Sequence, residues 1–176
     1  GSGDCCEIEK MQYNDPDSGY TDVSGTLYVH QGTTVTFKAI KDACMTSWPT
    51  NKPEWGGTSG ATGTGETKAV TFNTLSTSTS DYKTVTATCD NTVTVNVIVY
   101  QLTGKHVAQD NFSGRASTTY GVAEVTDLSF TVSPTGISAS QMGGLSWEAV
   151  TANGTIGIQS GTSSALTFSI YGVLAA

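Results

Sequence analysis

Positive charge is scarce in this chain. Eight Lys and Arg stand against 15 Asp and Glu, a formal net charge of -7 with a sequence pI near 4.5. The cationic residues form no run, so the surface repels phosphate backbones and anionic headgroups, which argues against nucleic-acid and anionic-membrane partners. Long apolar runs are missing too. The longest stretches, such as Val93–Tyr100, fall far short of the roughly 20 residues that span a bilayer, and no membrane insertion is expected. His30 and His106 are the only imidazoles, and no Gly-x-Ser-x-Gly accompanies them, so exposed strand-edge histidines are expected and a catalytic triad is not. Helical periodicity is hard to find. Cysteine is sparse but even in number: Cys5, Cys6, Cys44 and Cys89, without Cys-x-x-Cys spacing. With so little histidine, zinc is a poor reading and disulfides a better one, which implies an oxidising compartment.

What replaces charge, at 13% of residues, is Thr, Ser and 20 Gly, a β-rich and loop-rich composition because Thr favours strands while Gly and Ser serve turns. Alternation of apolar and polar residues predicts strands at Thr26–His30, Thr33–Ile40, Ala69–Thr74, Lys83–Cys89 and Thr92–Gln101, and later at Val125–Ser133, Leu145–Val150 and Ala165–Tyr171. Val35, Phe37 and Ala39, and again Val93, Val95, Val97 and Val99, place one face of each strand inward, as in an antiparallel sheet. Asp90-Asn91 between two of these runs predicts a tight hairpin, since both residues tolerate positive φ. Ser47 to Glu66 reads as loop around one short strand at Pro53-Glu54-Trp55.

A repeat is visible. Trp55 follows Phe37 by 18 residues and Phe72 follows Trp55 by 17; in the second half Trp147 follows Phe130 by 17 and Phe168 follows Trp147 by 21. An alternating strand, a central Trp, a further strand, a strand ending in Cys89 and a last Val-rich strand resemble the immunoglobulin-like sandwiches that bacterial surface and secreted proteins string together. The resemblance covers residues 23–102 well and 120–171 in part. It implies an all-β, immunoglobulin-like antiparallel sandwich fold in two modules: residues 5–102 with disulfides, a linker over 103–119, and a second, partial module over 120–176. It also implies Trp55 and Trp147 as core pillars between sheets. Two departures matter. Cys44 falls beyond its strand, so a Cys44–Cys89 bridge would staple a loop to a strand end, and Ala87 stands where the family has a tyrosine two residues before the second Cys.

The second module looks unfinished, because only eight residues follow Phe168. Truncation or an unusually small sandwich is expected, with two other routes: the N-terminal segment Ile8–Tyr13 completing that sheet, or a strand-sharing neighbour subunit. The opening Gly1-Ser2-Gly3 reads as a remnant where a leader was removed.

Candidate sites are few. Asp15, Asp17 and Asp22 space carboxylates beside Gly19 in a way that Ca²⁺ could use, though no acidic residue closes the loop and a polar turn is the simpler reading. Trp48 and Tyr20 are candidates for ligand contact near Gly-rich loops. Of the cysteine pairings, those that avoid a Cys5–Cys6 ring are least strained, leaving each of the vicinal pair to reach Cys44 or Cys89. Asn111-Phe112-Ser113 and Asn153-Gly154-Thr155 match the glycosylation pattern, as short patterns often do by chance. The expected function is a non-catalytic structural or adhesive module of a secreted or surface-displayed bacterial protein, engaging a protein or glycan. The alternative is a carbohydrate-binding sandwich.

Overall fold

A computed structural model describes residues 7–15, 18–106, 111–113, 124–143, 145–149, 159–163 and 166–173. Every regular element among them is a strand: β1 (Ile8–Asp15), β2 (Gly19–Asp22), β3 (Leu27–His30), β4 (Thr34–Lys41), β5 (Glu54–Gly56), β6 (Thr67–Thr71), β7 (Val85–Thr88), β8 (Thr92–Val95), β9 (Val97–His106), β10 (Asn111–Ser113), β11 (Glu124–Ser133), β12 (Leu145–Ala149), β13 (Gln159–Ser163) and β14 (Thr167–Val173). No described helix is long and apolar enough to cross a membrane. The chain divides into one unit of residues 1–76 and 80–99 and another of 77–79 and 100–176.

The first unit is an all-β sandwich. One sheet runs β2-β1-β4-β6 and a second runs β5-β7-β8, with every pairing antiparallel. The period of two that was legible in the sequence sets the layers. Phe37 and Ala39 of β4 are 0% and 1% exposed, and their register partners Tyr13 and Met11 on β1 face the same core. Trp55, Val85, Ala87 and Val95 supply the opposite wall. Phe37 and Phe72 meet edge-on, ring centroids 6.3 Å apart at 76°, a geometry that adds about 0.5–1.5 kcal/mol beyond area burial. Trp55 also satisfies its one donor, giving Nε1–H to the Gly65 carbonyl at 2.7 Å. It is the core pillar expected of it.

Three expectations change. The N-terminal segment Ile8–Tyr13 does not complete the second unit; it is β1 of the first, paired to β4 on one side and to β2 on the other. The apolar edge of Ile8 and Met11, both buried, finds its core there. The run Thr92–Gln101 is not one strand. It breaks at Asn96, whose carbonyl accepts the Leu27 amide at 3.0 Å, so that β8 pairs with β7 while β9 pairs with β3. Ile98 is fully buried beside Val97 and Val99, which simple alternation does not foresee. The stretch 103–119, read as a linker from its glycine and polar residues, carries the end of β9 and all of β10, which pair through Asn111↔Lys105, Phe112↔Gly104 and Ser113↔Thr103.

In the second unit β11 pairs with β9 from Leu128↔His106 to Ser133↔Gln101 and with β14 from Glu124↔Val173 to Ser129↔Thr167, while β12 and β13 form a separate antiparallel pair. Trp147 lies on β12 opposite Gly161.

Candidate functional site

Because Phe37 and Ala39 point into the core, Lys38 between them stands on the outer face of the four-stranded sheet, in register with Gln12 on β1 and Thr67 on β6. Tyr20 of β2 lies opposite Asn14 of β1, two residue pairs along from the Gln12 row and so on the same face. The long stem of Lys38 crosses that diagonal, and its Nζ sits 5.2 Å from the centre of the Tyr20 ring, which is 40% exposed.

Glu66 precedes β6. Its carbonyl accepts the Ala39 amide at 2.9 Å, which fixes the residue beside the end of β4. Three donors converge on its carboxylate. Trp48 Nε1–H reaches Oε2 at 2.8 Å, Lys41 Nζ lies 3.5 Å from the same oxygen, and Lys38 Nζ lies 3.9 Å from Oε1. Lys41 also sits 5.7 Å from the Trp48 ring centre. Trp48 is half-buried, packs against the core cluster, and so anchors the long loop between β4 and β5. Tyr20, Lys38, Glu66, Lys41 and Trp48 therefore form one continuous aromatic and ionic array, which joins the two ligand-contact candidates across three strands and a loop.

The Trp48 indole N–H is the largest influence on the Glu66 carboxyl and lowers its pKa; partial burial, next in size, opposes it, and the ammonium charges of Lys41 and Lys38 add to the lowering, so the carboxyl is held below its usual range. Glu66 thus stays ionised and organises its neighbours. Two ammonium groups against one carboxylate leave the array at +1, in a chain of net charge -7. Each ammonium carries three donors. The face offers aromatic surface and hydrogen-bond donors around an acceptor already engaged, which suits recognition of a ligand rich in acceptors.

Sequence reasoning found Tyr20 and Trp48 but missed Lys38, Lys41 and Glu66. No local pattern marks them, since Glu66 is 18 residues from Trp48 and is brought there by the β4–β6 pairing.

The acidic candidates are not brought together. The β1–β2 register puts Asp22 opposite Gln12 and Asp15 opposite Gly19, so the two sit at opposite ends of a hairpin, three residue steps or about 10 Å apart. The Asp22 carboxylate takes hydrogen bonds from Gln12 Nε2 at 2.9 Å and Lys10 Nζ at 3.0 Å, which lower its pKa in that order. Asp15 accepts the Ser18 amide at 3.3 Å, and Asp17 lies outside the described residues. Among the described residues no group of three or more His, Cys, Asp or Glu is placed to hold a metal ion. His30 is half-buried on β3 with Nδ1 2.9 Å from the Gln31 carbonyl oxygen, and His106 ends β9. Cys44 and Cys89 are not free thiols, while Cys5 and Cys6 lie outside the described residues.

Comparison with protein-family models, with curated proteins and with solved structures gives no match.

Proposed function

We propose that this chain is a non-catalytic structural or adhesive module of a secreted or surface-displayed protein, an immunoglobulin-like sandwich whose first unit presents the Tyr20–Trp48 face as its binding surface. The observation that supports this is the array itself. Two aromatic side chains and two cations from β2, β4 and a loop are organised around one ionised carboxylate on the solvent side of the sheet. Individually such contacts are weak, about 0.5–1 kcal/mol for an exposed cation–π pair and about 0–1 kcal/mol for a surface ion pair. A preorganised surface is a better reading of five such residues than fold stability.

The carbohydrate-binding reading is favoured by the same face, because an aromatic ring beside donor groups is what a sugar ring and its oxygens engage. A glycan array probed with the native chain, with Tyr20→Ala and with Trp48→Ala tests it. Binding that both substitutions abolish supports a carbohydrate ligand. No binding to any glycan removes that ligand class and leaves the adhesive surface for a protein partner.

A further inference from the structure

Strand β6 ends the order β2-β1-β4-β6, so one of its two edges meets no other strand among the described residues. Its bonding to β4 runs through alternate residues. The Ala39 amide donates to the Glu66 carbonyl at 2.9 Å, and the Phe72 amide donates to the Thr33 carbonyl at 3.0 Å. The β4–β6 register then makes Lys68 and Val70 the residues between them that bond to β4, and it turns the backbone N–H and C=O groups of Thr67, Ala69 and Thr71 away from the sheet. Among the described residues nothing bonds to those outward groups.

A cleft of about 210 Å³ opens beside this edge, with residues 68–71 of β6 on one side and residues 59–62 of the preceding loop on the other. The loop wall is held in place: the Ser59 amide donates to the Thr84 carbonyl at 2.9 Å, the Gly60 amide donates to the Gly57 carbonyl at 3.2 Å, and Ala61 is part of the core cluster. No acidic side chain lines the cleft, and Lys68 is its one charge. Lys10, Lys38, Lys41, Lys52 and Lys83 each have a carboxylate partner, whereas Lys68 has none among the described residues. Its Nζ reaches the loop, 3.5 Å from where a Cβ on Gly63 would stand.

We propose that this cleft takes an extended acidic peptide segment of a partner protein, which adds to β6 as a further strand of the sheet. The outward groups of Ala69 and Thr71 supply main-chain hydrogen bonds that any extended backbone meets, and the side chains set the choice of sequence. A residue opposite Lys68 on the added strand shares its face, so Glu or Asp there forms a cross-strand ion pair. Two positions along, the added residue meets Val70 and Ala61, both buried, and is apolar. Charge complementarity selects this occupant. The cleft holds one cation without a carboxylate partner in a chain of net charge -7, and a second copy of β6 would bring another Lys68 in place of a carboxylate. The site lies at the β6 edge, across the sheet from Tyr20 on β2.

The test probes the full chain with an array of acetylated, amidated Thr-based heptapeptides, each carrying one Val two positions from a residue that is Glu, Gln or Lys, with the two in either order. Glu peptides are expected to bind more tightly than their Gln and Lys counterparts, by up to about fivefold over Gln, and Lys68→Gln should erase that preference. Ala69→Pro removes an outward N–H and leaves the bonds to β4 intact, as edge strands allow, and should weaken binding by more than about tenfold. Amide exchange on the native chain is the second measurement, which does not depend on that variant folding: Ala69 and Thr71 should exchange fast alone and slow with peptide. Absence of binding, equal affinity for Glu and Lys peptides, binding that survives Ala69→Pro, or unchanged exchange at Ala69 overturns the proposal. So does a dimer in sedimentation that Ala69→Pro dissociates, which would give the edge to a second copy of the chain.

Discussion

Gly57 is the position where the first unit is least able to accept a side chain. Its φ of +110° lies where L residues rarely go, and a Cβ there would stand 2.2 Å from the Thr84 carbonyl oxygen and 2.7 Å from its carbon. Those atoms cannot move freely. Thr84 O accepts the Ser59 amide at 2.9 Å, the Thr58 amide donates to Thr84 Oγ1 at 2.9 Å, and the Thr84 amide donates to Thr58 Oγ1 at 2.8 Å. Gly57→Ala therefore carries a backbone cost of about 1–3 kcal/mol and breaks or stretches one or two hydrogen bonds at about 1 kcal/mol each. The expected loss is about 2–5 kcal/mol, enough to threaten folding of the unit. Gly60→Ala is the control: its φ of +87° carries the backbone cost, but nothing lies within 4 Å of its Cβ. Urea unfolding of the full chain, followed by tryptophan fluorescence, measures both midpoints at unchanged slope. If Gly57→Ala is as stable as Gly60→Ala, the packing of the β5–β6 loop against Thr84 is not as described.

Further substitutions probe the core and the electrostatics. Phe37→Ala, at a fully buried ring in contact with Phe72, is expected to lose about 3–5 kcal/mol in the same unfolding assay. Asn91→Ala removes both side-chain hydrogen bonds to the Ile8 backbone and should cost about 1–3 kcal/mol, with faster amide exchange at Ile8 as the local readout. The Glu66 carboxyl is held below its unfolded value, so its contribution is present above the ordinary carboxylate range and fades as pH falls through the lower folded value. Native protein should therefore lose more thermal stability than Glu66→Gln between about pH 7 and about pH 3; parallel curves for the two would remove Glu66 as an organising charge.

Much of the sandwich is legible because a strand buried on one face writes its period into the sequence. Val35, Phe37 and Ala39 mark β4 within a residue of both ends, and Val93 and Val95 mark the start of β8 but not its end. The β1–β2 hairpin was harder, since its turn residues resemble a cation loop and the side chains of β1 and β2 on the outer sheet face are polar: Lys10, Gln12, Tyr20 and Asp22. The break at Asn96 is invisible to alternation, because the apolar residues on both sides of it are buried whichever sheet they join. Tyr20 and Trp48 could be named as candidates from residue type alone. Their partners Lys38, Lys41 and Glu66 could not, because only the β4–β6 register brings Glu66 to the lysines.

The claim that the Tyr20–Trp48 face is the binding surface is tested most directly by calorimetric titration of a glycan identified on the array. The native chain would be compared with Tyr20→Ala and with Thr34→Ala, the latter on the outer face of the same sheet but paired with Thr71, away from the cluster. Affinity is expected to fall by about tenfold or more in Tyr20→Ala, the loss of one aromatic contact worth about 1.4 kcal/mol, and to stay unchanged in Thr34→Ala. Equal affinity in Tyr20→Ala and the native chain, with both folded, contradicts it.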